Sequence, residues 1–177
     1  MFKGFASVAI SVMCLFASDT YAEQNYFGGN IGFVDYSEAG ISDDASLTFL
    51  GGNIGKELND YLSAELRFSF GAGSDSVEAL GQEVDVKLNR LYGIYLRGGI
   101  PASDSFYPYA VIGFSNAKVT ASVSGFSASD TGSDSSFGVG AEYRIDEKQA
   151  LNLEYMSYID KDGIEISGFS IGFISYF

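Results

Sequence analysis

The sequence predicts an all-β fold, an eight-stranded antiparallel up-and-down barrel whose strands cross a membrane. Three observations carry that expectation. The stretch Ile164–Phe177 sets Phe169, Ile171, Phe173 and Phe177 on one parity and Gly168, Ser170, Gly172 and Tyr176 on the other. Successive side chains of a strand point to opposite faces, so one face is bulky and apolar and the other small and mostly polar. A membrane barrel pairs an apolar outer band with a polar lumen in this way. Seven earlier segments repeat the alternation, and their connections alternate between short and long. Finally, 22 Gly, 15 Phe and 12 Tyr against 2 Pro suit many short antiparallel strands.

The elements follow in order. Strand one, Tyr26–Tyr36, opposes Phe27, Ile31 and Phe33 to Gly28, Asn30 and Gly32, and strand two, Ser46–Lys56, opposes Leu50 and Ile54 to Gly51, Asn53 and Gly55. The pentapeptide G-G-N-I-G recurs at Gly28–Gly32 and Gly51–Gly55, which reads as two neighbouring strands that need small lumen residues at one depth. No helix pattern follows either copy, so a phosphate-binding loop is disfavoured. Strand three, Tyr61–Gly73, alternates Leu62, Ala64, Leu66, Phe68 and Phe70 with Tyr61, Ser63, Glu65, Arg67 and Ser69. Strand four, Val84–Gly98, sets Val84, Val86, Leu88, Tyr92, Ile94 and Leu96 against Asp85, Lys87, Asn89, Gly93, Tyr95 and Arg97. Arg90 falls on its apolar face, where an Arg at mid-bilayer costs about 2–4 kcal/mol. Its side chain must snorkel, or a bulge must shift the register.

Strand five starts at Pro108-Tyr109, with Ala110, Ile112 and Phe114 opposite Tyr109, Val111 and Gly113, and runs towards Val123. Strand six, Ser136–Ile145, and strand seven, Ala150–Ile159, direct Glu142, Arg144, Glu154 and Tyr158 inward, and strand eight is the closing stretch. Glu57–Asp60, Gly99–Ser105 and Asp146–Gln149 are the short turns, while Ser37–Ala45, Ser74–Gln82 and Gly125–Ser135 are the longer loops. A tight turn at Asp160–Gly163 joins the last two strands, and Asp162-Gly163 suits positive φ.

The start of the chain reads as a secretory signal peptide over residues 1–22, with Lys3, an apolar run Gly4–Ser18 and a small-residue site ending at Ala22. The barrel domain is then 23–177. Cys14 lies in the signal, and Ser11-Val12-Met13 before it does not suit lipidation. The exported chain therefore has no thiol, and closure of the barrel has to supply stability that disulfides supply elsewhere. No apolar run is long enough for a membrane helix. The net charge of −13 survives processing, because Lys3 and Asp19 leave together, and it disfavours nucleic acid as a partner.

The stretches S-A-E-L-R-F at Ser63–Phe68, Y-P-Y-A-V-I-G-F at Tyr107–Phe114, G-V-G-A-E-Y at Gly138–Tyr143 and L-N-L-E-Y at Leu151–Tyr155 precede a terminal aromatic strand. In this order they resemble the small OmpA-like, opacity-type outer-membrane β-barrel domain, a group often given a porin label. Ser175 departs from that pattern, which usually has an apolar residue there. The resemblance implies location in the outer membrane among lipids and lipopolysaccharide, short turns and both termini in the periplasm, and no peptidoglycan-binding domain after Phe177. It also implies that Phe169, Ile171, Phe173, Tyr176 and Phe177 form the signal read by the barrel-assembly machinery.

Chemistry is sparse. With no histidine and no thiol after the signal, the usual nucleophile–base pairings are missing, so an enzyme is not expected, and neither cofactor nor metal is implied. The charges expected in the lumen are Glu65, Asp85, Glu142 and Glu154 against Arg67, Lys87, Arg97 and Arg144, four acids balanced by four bases. Eight strands leave an interior just wide enough for side chains to fill, so this set reads as a salt-bridged plug. A path for protons or ions through it is the competing reading. Glu38, Asp43, Asp44, Asp75, Glu78, Asp130, Asp134, Asp160 and Asp162 decorate the outer loops, either as a solvated surface or as sites that share divalent cations with lipopolysaccharide. Tyr36, Tyr61, Phe106, Tyr107, Tyr158 and Tyr176 are expected to form interfacial girdles. The expected role is structural or surface-interacting, as a monomer. A narrow pore, a soluble ligand-binding barrel and an adhesin are the alternatives.

Overall fold

The computed structural model describes residues 24–38, 44–79, 82–124, 126–161 and 163–177. The signal segment 1–22 and the loop acids Asp43 and Asp162 lie outside the described residues. The strands are β1 (Asn25–Glu38), β2 (Ala45–Asn59), β3 (Leu62–Gly71), β4 (Asp75–Ala79), β5 (Gln82–Gly99), β6 (Phe106–Val123), β7 (Phe126–Arg144), β8 (Gln149–Lys161) and β9 (Ile164–Tyr176). All pairings are antiparallel between neighbours, β3 pairs β5, and β1 pairs β9 from Tyr26↔Tyr176 to Glu38↔Ile164. Eight strands therefore close into a ring, and the short β4 continues the wall above β3 against β5. Closure leaves no free sheet edge through the belt, as a hydrocarbon surround requires.

The belt itself is the outward parity. Phe27, Phe33, Phe68, Phe70, Ile112, Phe137, Val139, Leu153, Phe169 and Ile171 are all exposed around the barrel. Inside, the G-G-N-I-G repeat forms a reciprocal fit. Gly28 faces Asn53 and Asn30 faces Gly51, and a Cβ on Gly51 would sit 2.3 Å from the Asn30 amide oxygen. Each glycine is the socket for the other strand's asparagine.

The interior has two storeys. Towards the end that carries the short turns and both strand termini, the turn end, it is charged. Towards the other, the extended end, it is apolar, with Val34, Leu47, Phe49, Val86, Leu88, Met156 and Ile166 packed together. Sequence alternation had predicted a polar lumen throughout, and β5 explains part of the difference. A bulge between Leu88 and Arg90 inverts the parity of the strand's first half. Val86 and Leu88, expected to face lipid, are buried inside, and Asp85 and Lys87, expected in the lumen, are exposed on the outer face. A shift of one residue exchanges the two faces of a strand, so one extra residue near Asn89 suffices.

Two other expectations are corrected. Within the expected loop Gly125–Ser135, the described residues from Phe126 on are strand: β7 begins at Phe126 and pairs β6 to the tip at Val123↔Phe126. Its alternate hydroxyls pair across the strands, as in Ser122–Ser127 and Thr120–Ser129, and satisfy a polar sheet in water. The girdle also loses members. Tyr61 and Phe106 are exposed, but Tyr158 and Tyr176 are buried inside and Tyr36 and Tyr107 are half-buried. Each of those four lies on an inward parity, where its hydroxyl finds polar partners or its ring packs in the core. Gly163 takes φ 83°, as the tight turn requires.

Candidate functional site: the charged lower lumen

Six of the eight lumen charges meet. Arg67 of β3 chelates Glu154 of β8 across the barrel, with Nη2 3.0 Å from Oε2, and its Nε donates to Glu65 at 2.6 Å. Glu65 next receives Arg97 of β5 at 3.5 Å, and Arg97 pairs with Glu142 of β7. Arg144 takes up Glu142 at 3.3 Å and Glu57 of β2 at 3.0 Å. The order Glu154–Arg67–Glu65–Arg97–Glu142–Arg144–Glu57 is an alternating chain from mid-barrel to the turn end. Asp85 and Lys87 stand apart from it on the outer face.

Burial explains why the chain must be continuous. The side chains of Glu142, Glu154, Glu65 and Arg97 are at most 4% exposed, and an ion taken out of water at such depth requires a partner. Four carboxylates face three guanidiniums, an excess of one negative charge. The chain ends on Glu57, whose side chain is 26% exposed, so the excess sits where water reaches it. The tyrosines complete the cage. Tyr26 donates to Glu65 at 2.6 Å and Tyr176 to Glu142 at 2.7 Å. The guanidinium of Arg97 lies 4.2 Å over the ring of Tyr109, and that of Arg67 lies 4.7 Å over Tyr95. The void left among Asn30, Asn53, Arg67, Asn152 and Glu154 is about 10 Å³, room for a single water.

Reading the lumen charges from the sequence missed Glu57, on a strand-end parity that alternation left unassigned, and the inward role of Tyr26. A parity count carried two residues back from Gly28 would have found Tyr26, whereas the count on the closing strand already puts Tyr176 on the inward parity. Among the closing-strand residues, Phe169, Ile171, Phe173 and Phe177 point outward and Tyr176 points inward. Among the described residues no group of His, Cys, Asp or Glu is arranged to hold a metal ion.

Above the belt the wall opens on one side. The β7–β8 ladder stops at Phe137↔Ser157, although β7 continues upward with β6 and β8 with β9. A cleft of about 210 Å³ fills the gap, with Ala117, Val119, Ile159 and Ile166 as its floor and Asp130 and Lys161 at its rim. Asp134 bridges the gap, its carboxylate accepting the backbone N–H of Asp160 at 3.2 Å. That bond and the N–H of Ser135 hold its pKa below the usual range.

A sequence model of the outer membrane protein beta-barrel domain family matches residues 5–177. No curated protein sequence matches the chain. Among solved structures, neisserial surface protein A superposes with a TM-score of 0.68 at 15% identity, covering 86% of this chain and 97% of that one. Ail, the attachment invasion locus protein of Yersinia pestis, gives 0.62 at 15% identity, over 87% and 98%. OprG of Pseudomonas aeruginosa gives 0.55 at 16%, over 88% and 95%. At these identities the likeness speaks for the fold alone.

Proposed function

Because the chain belongs to the outer-membrane protein β-barrel domain family, we propose that it serves the outer membrane as a sealed barrel that carries an extracellular sheet, not as an open pore. One observation supports this above the others: charged chain and apolar storey together fill the lumen from the turn end to the extended end. Ions entering from the turn end meet buried salt bridges and then a dry layer around Phe49, Leu88 and Met156. Such a layer offers an ion no ligands and costs it its hydration.

In this proposal residues 1–22 are the export signal, the turn end faces the periplasm, and the strand tips face outward. The barrel acts as a monomer without catalytic activity. The assembly machinery reads Phe169, Ile171, Phe173, Tyr176 and Phe177, and any partner specificity resides above the belt. Ail has been solved in complex with the heparin analogue sucrose octasulfate. A chain of net charge −13 is expected to bind such a polyanion poorly at physiological salt. Planar-bilayer recording of the purified barrel tests the sealed state. Silence at moderate voltage is the expected result, and steady openings abolished by Arg67→Ala would overturn it in favour of a pore.

A further inference from the structure

We propose that the outer face of β5 and β6 holds a phosphate group of an outer-leaflet glycolipid, through Arg90, Lys118 and Lys87. The inference rests on the outer-membrane location and is independent of whether the lumen is sealed.

Three observations carry it. Arg90 and Lys118 are direct cross-strand partners, and like charges facing each other on a sheet destabilise it unless something lies between them. Lys87 sits one outward row higher, brought to the same face by the bulge that displaced it from the lumen. Among the described residues no carboxylate lies within salt-bridge distance of these three cations. In a chain with 23 acids and 10 bases, a cluster of cations left unpaired in this way points to an anion from outside.

The height of the cluster selects the anion. Arg90 and Lys118 stand two residues, about 7 Å, beyond Tyr92 and Asn116, where the aromatic belt of this wall ends. The guanidinium of Arg90 lies 5.7 Å over the ring of Tyr92. In a bilayer whose interface coincides with this aromatic girdle, that is the level of the lipid phosphates. Charge is also ordered along the wall: the cations lie nearest the belt, Asp85 one row higher, and the Glu78↔Glu83 pair at the tip. A free polyanion approaching from solution meets the acids first, whereas a lipid phosphate meets the cations from below. The opposite wall carries Asp35 and Glu165 at the corresponding height and lacks this cluster. The barrel therefore has one phosphate-binding side.

The test uses the folded barrel in phosphatidylcholine nanodiscs, titrated with bis-phosphorylated lipid A, with its dephosphorylated form and with inorganic phosphate. The phosphorylated lipid is expected to bind with an affinity that falls as salt rises, and the other two probes are not. Arg90→Gln with Lys118→Gln should weaken binding about thirtyfold, with Asp35→Asn and Glu165→Gln leaving it unchanged. Arg90→Lys should retain it. Heat-modifiable gel migration of each variant confirms a closed barrel, so a failure to fold is separated from a failure to bind. Unchanged binding in the double variant overturns the site. Loss of binding on chelating divalent cations overturns direct contact, and saturation by inorganic phosphate at the same concentration overturns the lipid as its occupant.

Discussion

Arg97 illustrates what a buried charge does in this barrel. Its guanidinium joins Glu65 and Glu142, whose side chains are 2% and 0% exposed. Removing it takes a cationic partner from two buried carboxylates, leaving Glu65 to Arg67 and Glu142 to the part-exposed Arg144, so the linked chain holds four acids against two bases. We expect Arg97→Ala to cost about 3–5 kcal/mol in urea unfolding from lipid vesicles. Arg144, 35% exposed on its side chain, should cost about 1 kcal/mol or less on the same substitution. Equal costs for the two would show that the lower lumen is hydrated throughout. Leu88 makes a second single-residue test. It is fully buried, so Leu88→Ala should cost about 2–5 kcal/mol through lost packing and a cavity. The regular parity of β5 would have put Leu88 against lipid, where the same change has little effect on packing.

Within single elements, alternation was legible wherever a strand stays regular across the belt. β3, the second half of β5, and β9 needed only a count by twos, because hydrocarbon on one side leaves no freedom in which residues face it. The bulge before Arg90 was not legible. Arg90 on an apolar parity announced that something was wrong, but the sequence offers no local mark, such as a glycine, that fixes the side on which the register shifts. Nor was the long β6–β7 hairpin visible, since Ser- and Gly-rich stretches read as loop until cross-strand hydroxyl pairs are seen. The seam between β7 and β8 depends on that hairpin. Asp134 has a lowered pKa in the folded state, so its latch contributes stability above the ordinary carboxylate pKa and loses it as pH falls through the folded value. Hydrogen exchange at the Asp160 amide should be faster in Asp134→Ala at neutral pH. In Asp134→Asn the amide oxygen should restore protection, without the acid-dependent loss seen in the native chain. Equal exchange in all three would remove Asp134 from the seam.

At the scale of the whole molecule, the two storeys of the interior do different physical work. The charged chain ties β3 to β8 across the barrel and β5 to β7 past the intervening β6, and so fixes the cross-section. In the proposed sealed barrel the apolar layer keeps water out, and its packed side chains hold the upper wall together where the ladder has parted. Six of the expected lumen charges are linked in one chain because their parities and depths agree. The apolar storey escaped the sequence because an inward Val or Leu looks the same as one that faces lipid. Cysteine accessibility gives the most direct test that this interior is sealed. Residues 23–177 contain no cysteine, so single cysteines at Met156 and Ile174, both buried inside, report without background. In the folded barrel in lipid vesicles, a membrane-impermeant thiol reagent should label neither from either side, while a cysteine at the exposed tip residue Ser129 reacts at once. Rapid labelling of Met156→Cys or Ile174→Cys in a barrel that still migrates as folded would contradict the account.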